Sequence, residues 1–247
     1  MPAPWVILPT YNEAANVHAV VGGVLETVPE ARVLVVDDAS PDGTGAVADG
    51  LAADDARVAV LHRPTKEGLG RAYVAGFAHA LAAGAGAVVE MDADLSHDPA
   101  DLPRLLTALA GGADVVLGSR YVAGGALEDW DAVRRGISRA GCWYARRVLG
   151  VPIRDLTGGF KVFRANALEA IDYAEVRSQG YAFQVELTYR ALRRGLRVEE
   201  VPITFRERRH GASKMSWRIG IEAAWLVPAL RLARTDGSTQ PADVPIP

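Results

Sequence analysis

Two aspartates, Asp92 and Asp94, stand at the end of an apolar run, Val88-Val89-Glu90-Met91-Asp92-Ala93-Asp94-Leu95-Ser96-His97-Asp98-Pro99. Carboxylates are hard oxygen donors suited to Mg²⁺ or Mn²⁺, and two of them are too few for an all-protein cage. A cation held this way takes its remaining ligands from water and from substrate phosphates, so a nucleoside diphosphate leaving group is the chemistry to look for. The bland alternative is a pair of solvated aspartates in the turn before Pro99. The strand context favours the metal, because open α/β sheets bind ligands beyond the carboxyl ends of their strands.

A second acidic pair, Asp37 and Asp38, closes another apolar run. One carboxylate there can accept hydrogen bonds from a base or ribose, while Asp38, Ser40 or Asp42 can instead cap the following helix. Gly68-Leu69-Gly70 opens a helix and could let backbone approach a phosphate. It is neither a Rossmann fingerprint, since Pro9-Thr10-Tyr11-Asn12 follows the first strand, nor a P-loop, since Lys66 precedes the glycines. Arg120, Arg134, Arg135, Arg208, Arg209 and Lys214 form a basic set able to hold a phosphate through arginine forks. Arg146, Arg147, Arg193 and Arg194 read as solvated helix faces. No Ser/His/Asp or Cys/His set is evident, the five histidines lack zinc spacing, and Cys142 reads as packing.

These residues need a scaffold. Trp5–Leu8, Arg32–Val36, Val58–Leu61, Ala87–Met91 and Asp114–Leu117 read as near-continuous apolar strands. Helical patterns separate them, with Asn12 as a candidate N-cap for the first. Strands alternating with helices predict an α/β fold with a mostly parallel sheet and helices on both faces. After Arg120 come a long arginine-bearing helix over about 132–149 and a Gly-rich turn at Thr157–Phe160. A helix over about 183–194 and a strand over 198–205 follow. No linker or repeat interrupts the chain, so a single domain over 1–234 is expected. The change of pattern after Arg120 divides it into halves of about 1–120 and 121–234. A disordered tail is expected over 235–247.

Composition narrows the classes. The chain has 247 residues, 49% hydrophobic and 23% charged, enough for a packed core. Its formal net charge is −3, which advertises no nucleic-acid partner. One cysteine excludes an intrachain disulfide and fits a reducing compartment. The N-terminus carries no basic n-region of a signal peptide, and no run reaches the length of a spanning helix.

Taken together, several spaced motifs resemble family 2 glycosyltransferases, and more narrowly the dolichol-/polyprenol-phosphate mannose synthases. They are Pro9-Thr10-Tyr11-Asn12-Glu13, Val35-Val36-Asp37-Asp38, the Asp92–Pro99 run, Gly118-Ser119-Arg120-Tyr121, Asp155-x-Thr157-Gly158-Gly159-Phe160, Gly180-Tyr181-x-Phe183-Gln184-x-Glu186, and Glu200-Val201-Pro202 leading to Arg208, Gly211, Ser213 and Lys214. The match runs in order from about residue 9 to 214. The resemblance implies a GT-A fold with a Rossmann-like nucleotide half, and inverting transfer of mannose from GDP-mannose to a polyprenyl phosphate. Pro9, Tyr11, Glu13, Asp37, Asp38, Lys66 and Ala93 would hold the nucleotide. Asp92, Asp94 and Ser96 would hold Mg²⁺ or Mn²⁺ and the diphosphate. Arg120, Arg134 and Ser138 would receive the acceptor phosphate, and Arg208 and Lys214 would close over the donor.

Two departures from the family pattern are Cys142, where asparagine is usual, and Gly158, where serine is common. The Gln-x-x-Arg-Trp signature of processive members is absent. A glucosyl or other hexosyl transferase is the runner-up, and a nucleotide-sugar-binding module without turnover is the non-enzyme alternative, disfavoured by the intact carboxylate pair and basic set. A lipid acceptor implies a membrane surface. Residues 215–234, with Trp217, Trp225, Leu226, Leu230, Leu232, Arg218 and Arg231, have the composition of an interfacial helix; a helix packed on the core is the alternative. The protein is expected to be peripheral on the cytoplasmic face of the membrane, by itself or through a separate anchoring subunit.

Overall fold

The computed structural model describes residues 2–176, 178–207, 225 and 227–232. Seven strands form one sheet. In chain order these are β1 (Pro4–Thr10), β2 (Arg32–Asp37), β3 (Val58–His62), β4 (Ala87–Glu90), β5 (Val115–Ser119), β7 (Lys161–Arg164) and β8 (Val198–Pro202). Two short strands, β6 (Ala126–Leu127) and β9 (Thr204–Phe205), pair separately. The main sheet runs β3-β2-β1-β4-β7-β5-β8, and every pairing in it is parallel except those of β7.

The central parallel strands β1, β2, β4 and β5 are rich in Val, Ile and Leu and buried on both faces, as a covered parallel sheet requires. Alternate side chains divide into two cores. Val6, Leu8, Val33, Val35 and Val89 pack under α1 (Val17–Thr27), α2 (Thr44–Asp54) and α4 (Leu102–Ala110). Ile7, Leu34, Val36 and Val88 face α3 (Leu69–Ala82), α5 (Ala132–Leu149), α6 (Ala165–Ala170) and α7 (Gly180–Arg193). Strand order doubles back at β1, with β2 and β3 on one side and β4 on the other. That switch point opens a crevice beyond the carboxyl ends of β1 and β4, where Asp92 and Asp94 follow Glu90.

Three local expectations are corrected. Asn12 caps no helix: it has φ +60°, and α1 starts at Val17 after Glu13 O accepts the N–H groups of Asn16 and Val17. The final strand breaks at Ile203 into β8 and β9, which lie in different sheets. A central strand, β7, was not expected. It is four residues long, begins with a lysine, and runs antiparallel with Glu90 opposite Lys161. Such a strand has no apolar run to announce it, and only its place between β4 and β5 makes it one.

α5 shows how local chemistry sets an element. Asp131 Oδ1 accepts the Arg134 N–H at 2.8 Å at its start, and Gly150, at φ +68°, ends it in the left-handed conformation. Arg146 and Arg147 lie in its last turn, where cations favour the helix dipole.

Candidate active site

The crevice is a cavity of about 280 Å³. Of the residues singled out from sequence, Pro9, Tyr11, Glu13, Asp38, Lys66, Asp92, Ala93, Asp94, Arg120 and Arg134 line it. Asp37, Ser96 and Ser138 are not among its lining residues. Arg208, Arg209, Lys214 and the 235–247 tail lie outside the described residues, as does most of the 215–234 segment.

On the nucleotide side, the turns after β1 and β2 are knitted together. Asp37 is tied into these turns: its carboxylate accepts Thr10 Oγ1 at 2.9 Å, Ser40 Oγ at 2.5 Å and Ser40 N at 3.1 Å. Asp42 does the capping, accepting Thr44 N at 3.0 Å and Ala14 N at 3.1 Å. Of the pair, Asp38 lines the cavity. Burial raises its pKa, and Arg63, 2.6 Å away, works against that rise. Lys66 Nζ sits 3.6 Å from the centre of the Tyr11 ring, a cation–π pair on the cavity wall. Gly68 lines the cavity, while Gly70 is packed against the neighbouring 178–179 segment. Gly70 N is taken by Gln179 Oε1 at 3.2 Å, and a Cβ on Gly70 would meet Ser178 O at 2.7 Å.

The carboxylate pair is built by a turn. Asp94 Oδ1 accepts the Ser96 N–H at 3.1 Å across Leu95, whose φ is +63°. A branched side chain in that region is strained and persists only where its surroundings demand it. Asp92 N donates to His97 Nδ1 at 3.2 Å, and Tyr73 OH donates to Asp92 Oδ1 at 3.4 Å. His97 thus keeps its proton on Nε2. It is buried, stacks on Phe160 at 5.0 Å, and burial lowers its pKa to about 4. Among the described residues, no three or more His, Cys, Asp or Glu gather to hold a metal. Two hard carboxylates beside the buried, unpartnered Ser96 Oγ nevertheless fit a divalent cation that takes its other ligands from phosphate and water.

The basic wall rests on a clasp. Arg120 Nε and Nη2 donate to Asp155 at 2.7 and 2.6 Å, Nη2 also to Thr157 Oγ1 at 2.9 Å, and both partners are buried. Burial opposes the charge on Arg120, but Asp155 outweighs it and raises the arginine's pKa. Asp155 answers in kind: burial pushes its carboxyl up and Arg120 brings it below the usual range. Cys142 Sγ lies 3.2 Å from Thr157 Oγ1, so the position where asparagine is usual supports this clasp from behind. Arg134 lies over Trp130 at 4.0 Å and donates to Glu207 at 2.7 Å. Ser138 Oγ accepts the Tyr121 hydroxyl at 2.7 Å.

Asp155, Trp130, Phe205, Tyr73, Gly159 and Gln184 were not assigned site roles from sequence. Asp155-x-Thr157, Gly159 and Gln184 stand in the family motifs, but the pairing of Asp155 with Arg120 spans 35 residues and no local pattern carries it.

Residues 5–172 match the family described as Glycosyl transferase family 2. The chain is 53% identical over 212 residues to the polyprenol monophosphomannose synthase of Mycolicibacterium smegmatis, covering 85% of this chain and 80% of that protein. It is 53% identical over 217 residues to the undecaprenyl-phosphate mannosyltransferase of Micrococcus luteus, covering 88% and 89%. A crystal structure of glucosyl-3-phosphoglycerate synthase from Mycobacterium tuberculosis with phosphoglyceric acid superposes with a TM-score of 0.69 at 19% identity, covering 96% of this chain and 82% of that one. The same enzyme with Mn²⁺, UDP and phosphoglyceric acid gives 0.68, covering 92% and 76%. The likeness in structure is one of fold, the α/β GT-A fold with its mostly parallel sheet. With the carboxylate pair at the switch point and the family match over most of the chain, the protein belongs to the family 2 glycosyltransferases and is an enzyme of that class.

Proposed function

We propose that the protein transfers mannose from GDP-mannose to the phosphate of a polyprenyl phosphate, with inversion and with Mg²⁺ or Mn²⁺. The observation that carries this reading is one cavity holding Asp92 and Asp94 together with Arg120 and Arg134. An acidic pair serves a cation and diphosphate; two arginines serve a second phosphate, that of the acceptor. The relatives' names supply the sugar and the lipid.

In this reading Asp38 accepts from the ribose or base, and Tyr11 with Lys66 borders the nucleoside. Asp92 and Asp94 hold the cation, with Ser96 beside them; when bound, it neutralises charge on the leaving diphosphate. Arg134 and the Asp155-clamped Arg120 orient the acceptor phosphate, with Ser138 behind them. A phosphate oxygen forms its bond to the anomeric carbon as the bond to the GDP oxygen breaks. That oxygen is already anionic at neutral pH, so the site needs no strong general base, and catalysis reduces to positioning and charge complementarity.

The acceptor implies contact with a bilayer. No helix among the described residues is long and apolar enough to cross a membrane. Val133, Ile137 and Trp143 on α5 are exposed, as are Trp225 and Leu232. These exposed apolar side chains support contact with the membrane surface; in this reading the protein is peripheral on the cytoplasmic face, directly or through a separate membrane subunit.

The test is transfer of radiolabel from a panel of nucleotide sugars into organic-extractable lipid, with polyprenyl phosphate as acceptor. GDP-mannose is expected to label the lipid well above all others. Labelling from UDP-glucose but not from GDP-mannose would overturn the donor assignment.

A further inference from the structure

Beneath the carboxylate pair lies a buried group that the reaction as described does not use. Gln184, on α7, lines the cavity and is 2% exposed. Lys161 Nζ donates to its side-chain Oε1 at 2.6 Å and to its main-chain O at 2.7 Å. A lysine has only donors, so this contact fixes which end of the amide is oxygen. The NH₂ end points elsewhere, and Nε2 is buried without a hydrogen-bond partner. The Glu90 carboxylate faces this end of the amide, whose hydrogen-bonding pull works against the rise that burial gives the Glu90 pKa, although no short hydrogen bond joins the two.

Gly159 stands beside that donor, which carries a second N–H besides the one toward Glu90. A Cβ there would stand 3.6 Å from Gln184 Nε2, and 3.5 and 3.6 Å from the two oxygens of the Asp92 carboxylate. The missing side chain leaves a gap on the cavity wall between an amide donor and a carboxylate acceptor.

We propose that Gln184, Gly159 and Asp92 form a subsite for one hydroxyl of the transferred sugar. A hydroxyl is the group that matches both walls: it accepts from the amide and donates to the carboxylate. A phosphate oxygen has no proton to offer Asp92, and an apolar group would leave the buried amide unpaired, which is costly. Lys161 is the positioning residue, since it holds the amide in register. The Gly180–Glu186 motif thus acquires a role in choosing the sugar. The inference rests on the proposed transfer from a nucleotide sugar.

The experiment compares kcat/KM for GDP-mannose and for its 2-, 3-, 4- and 6-deoxymannose analogues, in the wild type, Gln184→Ala and Gly159→Ala. The Kd for GDP with Mn²⁺ is measured alongside. A Cβ at Gly159 makes only ordinary contacts, so the second variant keeps the fold if the first does not. Gln184→Ala is expected to lower kcat/KM for GDP-mannose about 10-fold. It should cost almost nothing with the one analogue that lacks the matching hydroxyl, because the interaction is already gone. Gly159→Ala should single out the same analogue, and GDP affinity should hold in both variants. An equal fold-loss with every analogue, or an equal loss of GDP affinity, would overturn the subsite. If wild-type protein does not use GDP-mannose, the donor assignment has failed; the deoxy series of the sugar that the panel selects then tests the subsite on the same criterion.

Discussion

At Asp94 one carboxylate has two tasks. It closes the turn to Ser96 through its hydrogen bond to the backbone, and it presents charge to the cavity. An amide can do the first and not the second. Asp94→Asn is therefore expected to fold normally and to lose transfer by at least about 100-fold. Turnover across a Mg²⁺ and Mn²⁺ series, with thermal unfolding as the control, checks this; near-native rates would remove the metal role. Arg134 is the counterpart on the acceptor side. Arg134→Ala deletes a charge-assisted phosphate contact, which is expected to cost about 1.5–3 kcal/mol, or roughly 10- to 150-fold in the KM for polyprenyl phosphate. The Kd for GDP should stay unchanged. Equal weakening of both would place this arginine on the donor side.

Elements position these residues by close approach as much as by hydrogen bonding. α3 lies against β1 at Gly76, where a Cβ would come within 2.4 Å of Ile7 Cγ2. No side chain fits there without moving the helix off the sheet. The same helix carries Tyr73, which reaches Asp92, and its N-terminal Leu69 lines the cavity. Gly76→Ala is expected to lower stability by about 1–3 kcal/mol through overpacking, read as a lower denaturant midpoint. It should also weaken GDP binding, because Leu69 moves with the helix. A variant as stable as the wild type would show that the α3–β1 contact yields easily. β7 makes the complementary point. It brings Lys161 under the site and displaces β5 from β4, so that the basic wall from Ser119–Tyr121 and the acidic pair from Asp92–Asp94 stand two strands apart.

For the whole molecule, buried titratable groups tie stability to pH. His97 has a folded pKa of about 4 against an ordinary value of 6.5, because burial disfavours its charge. Between these values the unfolded chain binds the proton and the folded one does not, so stability rises with pH through that window and is lost on acidification. Glu90 runs the other way: burial raises its carboxyl to about 8, so its contribution falls as pH rises from about 4.5 to 8. Comparison of the wild type with His97→Asn cancels the Glu90 term. In chelator, the difference in unfolding free energy between the two proteins should change by on the order of 3 kcal/mol from pH 4 to 6.5. Denaturant titrations across that range measure it, and parallel curves would show that His97 is not held neutral.

What the sequence determined by itself lies in segments of ten residues or fewer. Continuous apolar runs ending in Asp37-Asp38 and Asp92-Ala93-Asp94 specified parallel strands, their order along the chain, and the acidic chemistry at their tips, because hydrophobic periodicity and turn chemistry are local properties. The spaced motifs carried the family as well. Tertiary structure decided everything that depends on partners far apart in the chain. It tied Asp37 to Thr10 and Ser40 and set Asp38 in the cavity lining. It paired Arg120 with Asp155, and it made a strand of Lys161–Arg164 by enclosing it between two others. It also turned Gln184, one polar residue in a helix, into a buried donor oriented by a lysine 23 positions away. Hydrogen-bond satisfaction and burial are properties of the folded environment, so no local pattern could have announced them.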